Sequence, residues 1–176
     1  EHVWDEAFGY WGAAAHSLQL SAKENYNIAK MKNLTAADAN GDGKVDLKSE
    51  YNFAHSYYAS SFDKGGKTNY FEAVTKAFID GRQIITNADG QKLTASQREK
   101  LITLAATIER NWEKVLAEAV FKYAGSVYKD IDKLKSSATR GRPPVMSFVR
   151  TGFRGVRAKV NPADTFSLAL IITWAP

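Results

Sequence analysis

Asp38-Ala39-Asn40-Gly41-Asp42-Gly43-Lys44-Val45-Asp46 is the stretch on which the reading of this chain turns. Oxygen-bearing side chains recur at alternate positions and a glycine follows at the sixth, the D-x-N-x-D-G pattern of a calcium loop. Calcium takes six to eight oxygen ligands, and this alternation lets one tight turn aim several side chains at a single point. Gly43 stands where the turn is sharpest and a Cβ would obstruct it. Lys44 offers its main-chain carbonyl, Val45 is the apolar residue that tucks inward, and Asp46 can bind directly or through water. The acid expected at the twelfth position is displaced: Ser49 stands there and Glu50 follows one residue late. The expected ligand set is Asp38, Asn40, Asp42, Lys44, Asp46 and Glu50, with calcium as the cofactor. Either the exit helix shifts to bring Glu50 round, or the site is weak and partly hydrated.

Such a loop joins helices, and its flanks read as helices. Upstream, residues 1–17 carry an aromatic stripe of Trp4, Phe8 and Trp11, continued by Ala15, at helical spacing. Residues 18–34 continue helical, with Ile28, Met31 and Leu34 on one face. Downstream, residues 50–62 form an exit helix rich in tyrosine and phenylalanine, in which His55 reads as a packing residue. Asp63-Lys64-Gly65-Gly66 is a break. Residues 68–86 place Phe71, Val74 and Phe78, with Ile84 or Ile85, on a common face. Asn87-Ala88-Asp89-Gly90-Gln91 is a turn with too few acids to be a second calcium loop. Ser96 and Glu99 read as a capping box that opens a long helix to about Leu134. Its apolar face runs through Leu101, Leu104, Ile108, Trp112, Val115, Ala119, Tyr123, Val127 and Ile131, the strongest periodic signal in the chain. The expected fold is all-α, an irregular bundle of about five helices with an EF-hand-like calcium loop between two of them.

Composition divides the chain. Of 24 basic and 19 acidic residues, those after position 139 contribute Arg140, Arg142, Arg150, Arg154, Arg157 and Lys159 against Asp164 alone. The preceding part is therefore charge-balanced, and all four prolines also lie in the tail. The reading is a helical domain over 1–136 and a basic Pro/Arg-rich tail over 137–176. Arg140-Gly141-Arg142-Pro143 matches a minor-groove hook for A·T-rich DNA, and Phe166 to Trp174 is apolar enough for a strand or buried segment. No cysteine is present, which excludes disulfides and thiolate metal sites. No apolar run is long enough to span a membrane. The chain opens in mid-pattern, which implies that further sequence precedes it.

His2, Asp5 and Glu6 form a second candidate site. Positions i, i+3 and i+4 share a helix face, so one imidazole and two carboxylates could hold half of a transition-metal site, for iron or a similar ion. An ordinary polar patch is the competing reading. Glycine costs about 1 kcal/mol inside a helix, so Gly9 and Gly12 imply the close approach of a helix or ligand. His16 lies about 21 Å along the axis at 1.5 Å per residue, too far to complete that site.

The block Glu1-His2-Val3-Trp4-Asp5-Glu6-Ala7-Phe8-Gly9-Tyr10-Trp11-Gly12 resembles the signature of a family of exported bacterial lipoproteins of unknown function. The family carries a His–Trp–Asp–Glu–Ala–Phe/Tyr–Gly–Tyr block and often a calcium-type loop downstream. The resemblance covers roughly residues 1–135. A later His–Trp–acid block is expected of the family and is lacking here, where the histidines are His2, His16 and His55. A weaker likeness is to imelysin-like proteins, helical bundles with a His-x-x-Glu motif implicated in iron uptake; this chain has His2-x-x-Asp5 instead.

The resemblance implies an exported protein, periplasmic or associated with an outer membrane. The residues carry no Ser/His/Asp triad, phosphate loop or zinc-protease helix, and the expectation is a non-enzymatic domain. The leading reading is a calcium-binding helical domain that captures a metal ion, or a surface ligand or protein. The second is a structural or adhesive surface module in which calcium only locks the fold. Nucleic-acid binding through the basic tail ranks last.

Overall fold

The computed structural model describes residues 2–139, and these are all-α. In order they form α1 (His2–Trp11), a single 3-10 turn (Ser17–Gln19), α2 (Ala22–Ala29), α3 (Leu34–Ala37), α4 (Ala54–Asp63), α5 (Tyr70–Asn87) and α6 (Ala95–Thr139). Residues up to 121 make one compact unit, and the rest of α6 belongs to a second, taken separately below. The Arg-Gly-Arg-Pro motif and the apolar stretch from Phe166 to Trp174 lie outside the described residues. Among the described residues no helix is long and apolar enough to cross a membrane.

The first helix ends earlier than its apolar spacing predicts, at Trp11. Gly12 stops it in the left-handed region (φ +77), where a Cβ would lie 2.8 Å from the Phe53 carbonyl oxygen. That carbonyl belongs to the chain entering α4, so the glycine is required by a close backbone crossing. Gly9, by contrast, has open space around it. The second helix is also shorter than expected. Ser21 and Glu24 form a reciprocal capping box at its start, which makes residues 18–20 a separate entry.

The exit helix begins at Ala54 and not at Glu50. Residues 51–53 stay outside the helix, with Phe53 extended, while Glu50 and Asn52 turn their side chains to other partners, described below. At α6 the capping box is Thr94 with Gln97, and not Ser96 with Glu99. The Thr94 hydroxyl accepts the Gln97 N–H, and Gln97 Oε1 accepts the Thr94 N–H at 2.9 Å.

The core of the first unit is aromatic. α1 packs on α4 and α5, α2 on α4, and α4 on α5. Trp11 is fully buried and donates its indole N–H to Thr75 Oγ1 at 2.9 Å. Its ring meets Trp112 of α6 edge-on, with centroids 5.2 Å apart, and Phe71 of α5 at 6.3 Å. Phe78 collects Trp4, Phe8 and Trp112 in edge-to-face contacts. Trp4 lies so close over α5 that its ring fills the space a Cβ on Gly81 would need, and its N–H reaches the Phe78 carbonyl. The α6 stripe behaves as its spacing predicts as far as Ala119: Ile108, Val115 and Ala119 are buried. Beyond it, Val127 and Ile131 are 49% and 47% exposed.

Candidate metal centre

The segment from Asp38 to Glu50 joins α3 to the extended entry of α4, so the loop has a one-turn helix on one side and no helix directly on the other. Its shape comes from side chains accepting their own backbone N–H groups, the habit of Asp and Asn in turns. Asp38 Oδ1 accepts from Gly41 and Asp42 at 2.8 and 3.1 Å, and Oδ2 from Gly43 at 2.8 Å. Asn40 Oδ1 accepts from Asp42, and Asp42 Oδ1 from Lys44. Gly41 and Gly43 both adopt positive φ, +74 and +80, which makes Gly43 the sharp bend that its position in the motif predicts. Val45 is half-buried.

Asp46 closes the outer end. Hydrogen bonds from the Lys48 N–H and then the Ser49 hydroxyl hold its carboxyl below the usual range. Glu50 closes the inner end and differs from the others in being buried, at 5% exposure. Its Oε1 accepts from the N–H groups of Ala39 and Asn40, and Oε2 from that of Asp46 at 2.9 Å. One carboxylate thus clamps both limbs of the loop from inside.

An ionised carboxylate offers about four lone-pair sites. Asp38 and Glu50 each spend three on backbone N–H groups and Asp42 one, while Asp46 spends two, on the Lys48 N–H and the Ser49 hydroxyl. Asp42, Asp46 and Asn40 are exposed. The remaining acceptor capacity is all oxygen and lies mostly on the solvent side, the donor chemistry that suits calcium. In the conformation seen, no three His, Asp or Glu side chains among the described residues are grouped to hold a metal ion. Capture of calcium would therefore require Asp38, Asp42 and Asp46 to turn, and water would complete the shell.

The second candidate site is not drawn together. His2, Asp5 and Glu6 are exposed, so their face of α1 does not pack inward and no desolvation forces a cation on them. Asp5 instead forms an ion pair with Arg82 of α5 at 3.1 Å, beside a shallow cleft of about 190 Å³ that Trp4, Phe8 and Phe78 also line. His16 is engaged elsewhere. Its Nε2 lies 3.0 Å from the Ala36 carbonyl, which can only accept, so Nε2 carries the hydrogen and the ring ties the segment after α1 to α3. His55 accepts the Trp112 indole N–H through Nδ1, a packing role as its setting in an aromatic helix implies.

A polar junction beneath the loop was not foreseen. Asn52 and Asn25 are both buried. Asn52 Oδ1 accepts the Ala14 N–H at 2.8 Å, and Asn52 Nδ2 donates to Asn25 Oδ1 at 2.8 Å. Asn25 Nδ2 in turn reaches the Ser17 carbonyl at 2.9 Å. Asp63, 3% exposed, accepts from Thr68 Oγ1 and the Phe71 N–H, both at 2.6 Å. The Ala15 N–H bonds the Ser49 carbonyl at 2.7 Å, which fastens the loop exit to the segment after α1. Compared with known proteins, the chain matches no family model, no curated protein and no solved structure.

Proposed function

We propose that residues 38–50 form a weak calcium site that locks a non-enzymatic helical module. The observation that carries this is the Asp38 carboxylate gathering the N–H groups of Gly41, Asp42 and Gly43. That turn gives a D-x-N-x-D-G sequence its sharp bend and leaves Asn40, Asp42 and Asp46 exposed, with acceptor oxygens from which a hard cation could draw ligands. Glu50 acts in this reading as the inner clasp, with the metal held by Asp38, Asn40, Asp42, the Lys44 carbonyl, Asp46 and water. A site with few direct carboxylates and a hydrated shell belongs to the weak class, with Kd of about 0.1–1 mM, which suits extracellular calcium. An exported location agrees with the lipoprotein-like amino-terminal block. Because the loop exit is fastened to the segment after α1, calcium would stiffen the junction of α1, α2 and α4.

A ligand bound only by the folded state adds RT ln(1 + [L]/Kd), about 2.7 kcal/mol at a hundredfold excess. Thermal melts in excess calcium and in chelator are expected to differ by several degrees. Asp42→Ala should remove the difference while leaving the chelated melt unchanged. Identical melts for the unaltered chain would sink the calcium reading.

A further inference from the structure

A partly enclosed pocket of about 160 Å³ lies between the segment from the 3-10 turn into α2 and the α4–α5 corner. Leu18, Leu20 and Phe71 give it apolar walls, and Ser17, Asp63 and Glu72 bring oxygens. Ser17 is 1% exposed. Its backbone is bonded on both sides: the N–H donates to the Ala14 carbonyl, and its own carbonyl accepts from Asn25 Nδ2 at 2.9 Å. The buried hydroxyl alone has no hydrogen-bond partner. Such a group is costly, and alanine would fill the space without that cost. Asp63 is 3% exposed and spends two of about four lone-pair sites, on Thr68 Oγ1 and the Phe71 N–H. No lysine or arginine among the described residues is ion-paired with it. Glu72, exposed in the first turn of α5, adds a second carboxylate. The amino terminus of α5 offsets this only in part, since a helix dipole amounts to roughly half a positive charge against two negative ones.

We propose that this pocket binds a primary ammonium group carried on a short alkyl chain. An ammonium head has three donors and no acceptor. Three groups here can accept: the Ser17 hydroxyl and the carboxylates of Asp63 and Glu72. The alkyl chain lies against Leu18, Leu20 and Phe71. Neutral and anionic ligands would leave the buried Asp63 charge uncompensated. A metal ion fits less well, because the apolar walls supply no ligands and the pocket offers only two acids. The pocket shares no residue with the loop of residues 38–50 and does not depend on calcium there.

The test is a titration of the isotope-labelled full chain with n-butylammonium chloride, followed by two-dimensional NMR at constant ionic strength. The amides of Ser17, Asp63 and Glu72 should move along saturable curves in the millimolar range, as suits so small a ligand. n-Butanol, of the same shape without the charge, should leave them in place. Ser17→Ala removes a hydroxyl that bonds nothing in the free protein. Its melt should therefore match that of the unaltered chain, while amine binding weakens about fivefold. Glu72→Gln, at an exposed position, should weaken binding about threefold. Nα-acetyl-lysine methylamide separates two sources of the same head group: binding tighter than butylammonium assigns the pocket to a lysine side chain, and weaker binding to a free amine. The absence of any saturable shift, as in a pocket that holds only water, overturns the proposal. Equal shifts with n-butanol, or unchanged amine binding by Ser17→Ala, overturn it equally.

Discussion

The two sides of the first unit are held together by different physics. On the α1–α5–α6 side the core is a cluster of large rings, Trp4, Phe8, Trp11, Phe71, Phe78 and Trp112, whose burial is non-directional and tolerant of small shifts. On the α2–α4 side, nearest the loop, the fully buried side chains include Asn25, Asn52, Ser17, Ser56 and Ser60. There the chain is fixed by directional bonds, such as Ser56 Oγ donating to the Gly12 carbonyl at 2.7 Å. Bonds of that kind gain little over water when made but cost much when one partner is removed. The comparison teaches that the ring side supplies stability, while the polar side specifies where the loop-bearing segment sits.

That contrast can be broken or sharpened by substitution. Trp11→Ala removes a wholly buried indole and should cost about 3–5 kcal/mol, read as a fall in the urea midpoint. A cost near 1 kcal/mol would show that the ring cluster can collapse around the gap. Asn52→Ala leaves the Ala14 N–H and the Asn25 amide without their partner and should cost about 2–4 kcal/mol. Asn52→Asp keeps the acceptor for Ala14 but buries a carboxylate whose second oxygen faces the Asn25 Oδ1 acceptor, and should cost at least as much as Asn52→Ala. If Asn52→Ala were neutral, the polar side would not be specified by these bonds.

Smaller effects test the border between the sides. Tyr70 at the start of α5 donates to Glu118 of α6 at 2.8 Å, and that bond, with burial and the Glu118 charge, pushes its phenol up to about 12. The unfolded tyrosine ionises near 10. Between those values the unfolded state has lost a proton that the folded state keeps, so this contribution to stability is present below about 10 and is lost as pH rises towards 12. Ultraviolet titration should show one late tyrosine that disappears in Tyr70→Phe. The smallest effect is expected at Ala54, which opens α4 with φ +48. Ala54→Gly relieves left-handed strain of about 1–2 kcal/mol but loosens the unfolded chain, for a net gain of roughly 0.5 kcal/mol.

How much of this was legible in the sequence follows the same division. The ring side was readable because its residues repeat at helical spacing: Trp4, Phe8 and Trp11 on α1, and Phe71, Val74 and Phe78 on α5. The boundaries were misread wherever a side chain outbid the helix. Gly12 ends α1 because the Phe53 carbonyl crosses it, and α4 starts late because Glu50 turns back into its own loop and Asn52 turns to Ala14 and Asn25 far along the chain. Neither partner has a periodic signature. The loop was legible as a turn, since Asp, Asn and Gly at those spacings bond their own backbone. The inward turn of Glu50 was not, because its displaced position read as a late metal ligand and nothing in the spacing marks a carboxylate that accepts its own loop's N–H groups. His2, Asp5 and Glu6 share a face as their spacing requires, but spacing cannot say whether that face looks inward, and it looks to solvent.

The Asp63 carboxylate also bears on the order in which the chain folds. It ends α4 and accepts the Phe71 N–H at the start of α5, a partner only eight residues away. Loops of about ten residues close in about 10–100 ns, so the α4–α5 corner can form almost as soon as its helices do. Trp11 and Trp112 meet across most of the first unit, and closing so long a loop carries a larger entropic cost before any contact repays it. The corner is thus expected to serve as a local nucleus while α1 and α6 are still apart. Weakening it by Asp63→Asn should slow folding more than it speeds unfolding, whereas loss of the Trp11–Trp112 contact should act chiefly on the unfolding rate.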